Sequence, residues 1–356
     1  LHHRAEPSGL VAGFRAGSPF GGSFYFLLYR AASRTNRNPY FYQVIFMSVL
    51  IVGSVALDSI ETPKGKIEAA QGGSASYASA AASYWCNPHI LAVIGDDYPQ
   101  SYLTLLRNRG VQLEPGLEVV EGGRSFHWSG LYKGAMNEAV TRETDLGVFE
   151  NFNPQVPDSL SDSSLVLLGN IDPTLQLRVL DQLKNPSLVV VDTMNLWIEI
   201  KRDTLMEVLK RSDLIVLNDG EARLLGEEIN LHNCARNIRK QIGEKLLIIK
   251  KGEHGATLYT NDARFSLPAF PINSLSDPTG AGDSFAGGFL GCLDHVDEIN
   301  EDTIKQAMVV GTVMASFCVE DFSLAYTGGL SREKIEQRLK RMTEFTCYNS
   351  IEMPKR

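Results

Sequence analysis

No apolar run in this chain approaches the ~18 residues a membrane-crossing helix needs, so no membrane partner is expected. The five cysteines (Cys86, Cys234, Cys292, Cys318, Cys347) are odd in number, widely spaced and never in a CxxC pair. That argues against a disulfide framework or a cysteine zinc site, and for a reducing compartment. The seven histidines never fall in HExxH spacing. With a formal charge of −8 there is no basic footprint for nucleic acid. Two nucleotide signatures are also missing. No GxxxxGK[ST] loop is present, and the first apolar strand runs into GSVALD where a nicotinamide-binding fold would have GxGxxG, which sets that oxidoreductase reading aside. What is present is ordinary for a globular enzyme, 44% hydrophobic and 21% charged residues, and 356 residues suffice for one α/β body with an appended lid.

Acidic residues are nearly absent from the first 46 positions, which hold five arginines and one acid, Glu6. The rest of the chain carries 29 basic and 41 acidic residues, a net −12. The segment mixes Gly, Ser, Pro and Arg with scattered aromatics and shows no sustained period. It reads either as an Arg-rich, acid-poor transit peptide or, the preferred reading, as translated sequence upstream of the true start. Residues 1–46 are therefore set outside the fold, and the expected location is cytoplasmic, or organellar if the segment is a transit peptide.

From Met47 the sequence SVLIVGSVALD is almost continuously apolar and ends in Asp58, as expected of a strand buried on both faces. Further β runs are predicted at His89–Ile94, Leu165–Leu168, Leu188–Val191, Leu214–Leu217 and Leu246–Lys250. Helices are predicted between them at Ser74–Trp85, Tyr98–Arg109, Thr174–Leu183, Thr204–Lys210 and Cys234–Gln241, then at Thr303–Phe317 and Arg332–Thr343. This β-α-β rhythm implies a three-layer α/β/α body around a mostly parallel central sheet. Residues 60–71 and 124–149 break the rhythm and read as β hairpins inserted between β/α units.

The run Asp277-Pro278-Thr279-Gly280-Ala281-Gly282-Asp283 opens a helical stretch with two glycines and a carboxylate. Without side chains at Gly280 and Gly282, backbone N–H groups and the positive end of the helix dipole can meet a phosphate. A carboxylate beside such a site opposes binding by repulsion, yet serves if it takes a proton from an incoming hydroxyl. The alternative is an Asp that only stabilises a first turn, worth about 0.3–1 kcal/mol.

This run resembles the signature DTTGAGDxFxGG of the ribokinase-like (PfkB-type) carbohydrate and nucleoside kinases, with Pro278 in place of the first Thr. In the same order as in that family follow Gly72-Gly73 before a helical run, Gly95-Asp96-Asp97, Asn218-Asp219-Gly220-Glu221 as N-x-x-E, and Lys250-Lys251-Gly252-Glu253-His254-Gly255. The matches span residues 47–345, leaving 346–356 as a tail. The resemblance implies an ATP-dependent, Mg²⁺-requiring kinase acting on a hydroxyl of a sugar or sugar-like molecule. A nucleoside kinase is the close alternative, and a catalytically silent binding regulator a more distant one.

Residue by residue, the resemblance makes Asp283 the base and the N–H groups of Gly280, Ala281 and Gly282 the hold on the transferred phosphate. It makes Asn218 and Glu221 organisers of Mg²⁺ and phosphates, Glu221 through water; a plain helix cap is the alternative for Asn218. Asp58 accepts acceptor hydroxyls while Gly72 and Gly73 let a sugar ring near the backbone. Tyr77 stands where many sugar-specific members have Asn, so ribose or fructose does not follow. The two hairpins become a lid over the acceptor, in which Phe126, Trp128 and Tyr132 are candidates to stack on a base. Lys251, Gly252 and Gly255, with Ala315 and Ser316, are expected around adenine and ribose of ATP, and Asp192 and Asn195 near phosphate or water. Dimerisation through the lid sheet and a monovalent cation come as inherited expectations.

Overall fold

The Val- and Ile-rich runs form one nine-stranded sheet whose two faces are both covered by helices, which is why they read as apolar throughout. The computed structural model describes residues 48–136, 139–261 and 263–347. The expectation for residues 1–46, and most of the one for the tail 346–356, lies outside the described residues.

In chain order, β1 (Val49–Val52) is followed by β2 (Ala56–Thr62), β3 (Gly65–Gly72), α1 (Ser74–Ala82), β4 (His89–Gly95), α2 (Gln100–Asn108) and β5 (Leu117–Val120). Then come β6 (Phe126–Tyr132), β7 (Ala139–Asp145), β8 (Leu165–Leu168), α3 (Pro173–Leu180), β9 (Leu188–Asp192), α4 (Asn195–Ile200) and α5 (Arg202–Arg211). The second half continues through β10 (Leu214–Asn218), α6 (Asp219–Gly226), α7 (Leu231–Ile242), β11 (Leu246–Lys250), β12 (Ala256–Tyr259) and β13 (Arg264–Leu267). It closes with α8 (Ala281–Leu293), α9 (Glu301–Cys318) and α10 (Arg332–Thr346).

The main sheet has the order β13-β12-β11-β10-β9-β8-β1-β4-β5. It is parallel from β11 to β5, with β12 and β13 added antiparallel. Side chains of each strand alternate between two cores. Val49 and Ile51 pack with Ala78, Phe289 and Val313 of α1, α8 and α9, while Leu50 and Val52 pack with Val208 of α5 and Ile238 of α7. The second sheet has the order β3-β2-β6-β7. It encloses only a small cluster of Ile60, Tyr132 and Met136, with Trp128, Leu275 and Phe322 packed against it.

Two expectations need correction. The first apolar run is two strands in two different sheets, so Asp58 lies within β2 instead of ending β1. The break falls at Gly53, where a Cβ would come within 2.9 Å of the Ala75 backbone nitrogen. Ser54 and Ser74 then clamp the crossing, each backbone N–H donating to the other's Oγ at 3.1 Å. The first hairpin accordingly begins before Ile60, at Ala56. Strands β5, β12 and β13 and the short helices α4 and α6 were not predicted, because each is short and lacks a clear period. Among the described residues no helix is long and apolar enough to cross a membrane.

Candidate active site

Polar residues appear where the parallel strands end. Asp192 closes β9, Asn218 closes β10 and Lys250 closes β11, with Asn218 in register with Lys250 and Asp192 in register with Val216. This carboxyl edge is where α/β sheets leave room for ligands. Helix α8 begins beside it. Its N-cap, Gly280, is left-handed at φ 76°, and a Cβ there would come within 2.3 Å of the Tyr77 ring, so both backbone and space require glycine. No side chain caps this helix. Among the described residues the N–H groups of Gly280 and Gly282 have no partner, whereas Ala281 N–H donates to the Pro278 carbonyl at 3.2 Å. Of the three amides expected to hold phosphate, two remain open to a ligand.

Asp283 stands in the first turn of α8, half-buried. Burial, and secondly the Asp192 carboxylate, push its pKa up to about 7, against the pull of the Lys250 ammonium. Lys250 Nζ donates to Asp192 Oδ1 at 3.2 Å. Burial works against this ammonium, but Asp192, Glu221 and Asp283 outweigh it and hold its pKa above the ordinary lysine value. Glu221 and Asn218 form a reciprocal capping box on α6. Asn218 N–H and Nδ2 donate to the two carboxylate oxygens at 2.7 and 2.6 Å, and Glu221 N–H donates back to Asn218 Oδ1 at 2.8 Å. Burial, with Asp192 next, raises Glu221 to about 8.

The cluster thus holds three carboxylates and one ammonium, hard oxygen donors short of positive charge, a donor set that fits Mg²⁺. Among the described residues no three such groups stand close enough to chelate an ion by themselves. An ion here would keep water and substrate oxygens as ligands, as Mg²⁺ commonly does.

The second sheet carries the residues expected from the sequence to meet an acceptor. Asp58 is buried, and its carboxylate lies over Gly72, where a Cβ would fall 2.0 Å from Oδ2. Gly73, at φ 93°, caps α1, and a Cβ there would come within 2.4 Å of the Ser54 carbonyl. The glycine pair therefore makes room first for Asp58 and the chain crossing. Burial, then Asp277, raises Asp58 to about 8. Asp58 is in register with Trp128 across the parallel β2–β6 pair, so carboxylate and indole share one face. Trp128 stays half-buried, its Nε1 donating to Thr141 Oγ1 at 3.2 Å. Tyr132 on the same strand accepts from Thr279 Oγ1 at 3.2 Å, which ties β6 to the loop before α8.

Other residues singled out from the sequence are placed differently. Phe126 stacks on Phe149 at 5.7 Å, and Phe149 on Phe152, a packing contact. Tyr77 is 1% exposed beneath Gly280, with no partner for its hydroxyl. Lys251 N–H closes a tight turn onto the Gly255 carbonyl at 2.7 Å, with Gly252 and Gly255 both at positive φ. Ser316 Oγ accepts from Arg338 at 3.0 Å and donates to Val313, and Ala315 packs on the core. None of these hydrogen bonds reaches the Asp283 cluster. Asn195 starts α4 after Asp192. The structure brings Lys250, and not Lys251, to this cluster. The signal was available, since a lysine ending an apolar strand at the carboxyl edge repeats what Asp192 and Asn218 do on neighbouring strands.

Residues 48–327 match the family described as pfkB family carbohydrate kinase. The cytidine kinase of Thermococcus kodakarensis is 30% identical over 255 residues, 68% of this chain and 87% of that protein. The nucleoside kinase of Burkholderia thailandensis, in a structure with inosine, is 20% identical, with TM-score 0.67 over 83% of this chain and 99% of that one. Ribokinase of Thermotoga maritima is 19% identical, with TM-score 0.64 over 83% of this chain and all (100%) of that one.

Proposed function

The chain belongs to the pfkB family of carbohydrate kinases and has the ribokinase-like fold, and from that premise we propose that it transfers the γ-phosphate of ATP to a sugar hydroxyl of a nucleoside. The observation that carries the transfer step is a half-buried carboxylate, Asp283, in the first turn of a helix whose Gly280 and Gly282 N–H groups are open. Asp283 accepts the proton of the attacking hydroxyl, while Gly280 and Gly282 donate to phosphoryl oxygens as charge spreads over them. Asn218 and Glu221, locked together, present a fixed carboxylate to water around the metal. When bound, Mg²⁺ would neutralise phosphate charge.

Asp58 accepts hydrogen bonds from the sugar hydroxyls. The half-buried indole of Trp128 beside it offers a surface for a base, and the cytidine kinase relative supports the same reading. A free sugar remains the second reading, supported by Asp58, which needs only hydroxyl donors. The catalytic unit is taken as residues 47–345, with lid segments 56–72 and 124–149. A dimer through the outer lid face, where Val140 is exposed, and a cytoplasmic location, in keeping with cysteines that are all free, complete the proposal.

The test is ADP release from ATP and Mg²⁺ with a panel of nucleosides and free sugars, for the wild type and Asp283→Ala. Nucleoside-dependent turnover that disappears in the variant supports the reading. Turnover with free sugars alone overturns the acceptor, and turnover undiminished in the variant overturns the base. Repeating the assay with potassium replaced by choline tests the monovalent cation.

A further inference from the structure

Lys250 is hard to explain as a structural lysine. Its side chain is only 17% exposed, and lysine is rarely buried that far without full pairing. The pairing is incomplete: an ammonium has three donors, and among the described residues Lys250 Nζ donates only to Asp192 Oδ1, at 3.2 Å. Its position is stranger still. A Cβ placed on Gly282 would fall 2.6 Å from Nζ, so the ammonium stands directly against the first turn of α8. That is the positive end of the helix dipole, which opposes a cation, so the ammonium is held there by the surrounding carboxylates of Asp192, Glu221 and Asp283. The neighbouring Gly282 N–H is also without a partner. Two sources of positive charge from different parts of the chain, the Lys250 ammonium and the start of α8, therefore meet beside Asp283.

We infer that Lys250 is a catalytic residue that holds the transferred phosphoryl group. The inference rests on the kinase reading above. Lys250 donates to a non-bridging oxygen of the terminal phosphate, next to the Gly280 and Gly282 amides, and Asp192 aims the ammonium. During transfer the bond from phosphorus to the leaving diphosphate oxygen breaks, the bond to the acceptor oxygen forms, and the hydroxyl proton passes to Asp283. Lys250 keeps its three protons throughout and supplies charge alone. The lysine that a phosphate-binding loop would contribute arrives here from the end of a strand. The same geometry explains why residue 282 has no side chain: a Cβ would displace the ammonium.

The test compares Lys250→Met, and the double variant Asp192→Asn/Lys250→Met, with the wild type. The double variant removes both charges, so Asp192 is not left buried without a partner and folding is kept separate from function. Binding of ATP and of ADP, each with Mg²⁺ and without acceptor, is measured by calorimetry, alongside kcat and the thermal midpoint. The expected result is an ATP affinity lowered about 10-fold or more, since a hydrogen bond to a charged group is worth about 1.5–3 kcal/mol, with ADP affinity unchanged. kcat should fall about 10²–10³-fold in both variants. A double variant that folds, keeps the wild-type ratio of ATP to ADP affinity and retains kcat within about threefold, far short of that loss, overturns the assignment and leaves Lys250 a partner for Asp192. A wild type that phosphorylates nothing defeats the kinase reading, while the ATP-against-ADP comparison still decides whether Lys250 meets the terminal phosphate.

Discussion

In the proposed reaction the two sheets carry different halves of the chemistry. The nine-stranded sheet is covered on both faces, and Asp192, Asn218 and Lys250 stand at the ends of its parallel strands, with Lys250 against the start of α8. The four-stranded sheet has a core of three buried residues, and its functional side chains, Asp58 and Trp128, stand in mid-strand on one face. In the proposed reaction, the groups that hold one geometry during phosphoryl transfer sit on the main body. The groups proposed to choose the acceptor sit on the thinner layer. The layers are joined by Gly53–Ser54 against Ser74, by Thr62 Oγ1 donating to the Ser276 carbonyl, Gln71 Nε2 to the Tyr102 carbonyl and Ser323 Oγ to the Gln71 carbonyl, by Thr279 to Tyr132, and by Ser125, whose N–H and Oγ donate to Asp97 at 2.8 and 2.6 Å.

That division is open to attack by mutation. The largest effect is expected in the body. Asp283→Ala should lower kcat by about 10²–10⁴-fold with acceptor KM little changed, as measured by ADP release. In the wild type, kcat/KM should fall as pH drops through about 7, because burial and Asp192 hold Asp283 protonated there, and Asp283→Asn should lack that limb. Gly282→Ala, which puts a methyl group 2.6 Å from Lys250 Nζ, should cost about 10²–10³-fold in kcat. In the lid, Trp128→Ala should lose about 1–3 kcal/mol of base stacking, roughly 5–150-fold in nucleoside kcat/KM, and leave free-sugar turnover nearly untouched.

The smallest effect concerns stability. Asp58, raised to about 8 in the fold, binds a proton that the unfolded chain has already lost above its ordinary pKa. Stability should therefore decline as pH rises from about 4 towards about 8, by the linkage between proton binding and folding. Asp58→Asn should raise the thermal midpoint more at pH 8 than at pH 5, read by calorimetry, while impairing acceptor binding.

The main sheet was largely legible in the sequence because strands buried on both faces announce themselves as apolar runs, and Gly280 to Asp283 announced the helix start. The lid was less so. β2 continues the apolar character of β1 across Gly53, and only the steric demand of Ser74 and Ala75, distant in sequence, moves the chain into another sheet. Tyr77 looked like an acceptor contact by position, yet its ring fills the space under Gly280. Lys250 and Lys251 are adjacent and chemically alike. Strand register, which composition does not reveal, turns the first into the site and the second into a turn.

The most direct test of the division between body and lid is the ratio of kcat/KM for a nucleoside to that for free ribose, measured for the wild type, Asp283→Asn and Trp128→Ala. The account predicts a wild-type ratio well above one, the same ratio on a much lower rate in Asp283→Asn, and a ratio near one in Trp128→Ala. A ratio that Trp128→Ala leaves intact, or that Asp283→Asn collapses, would contradict it.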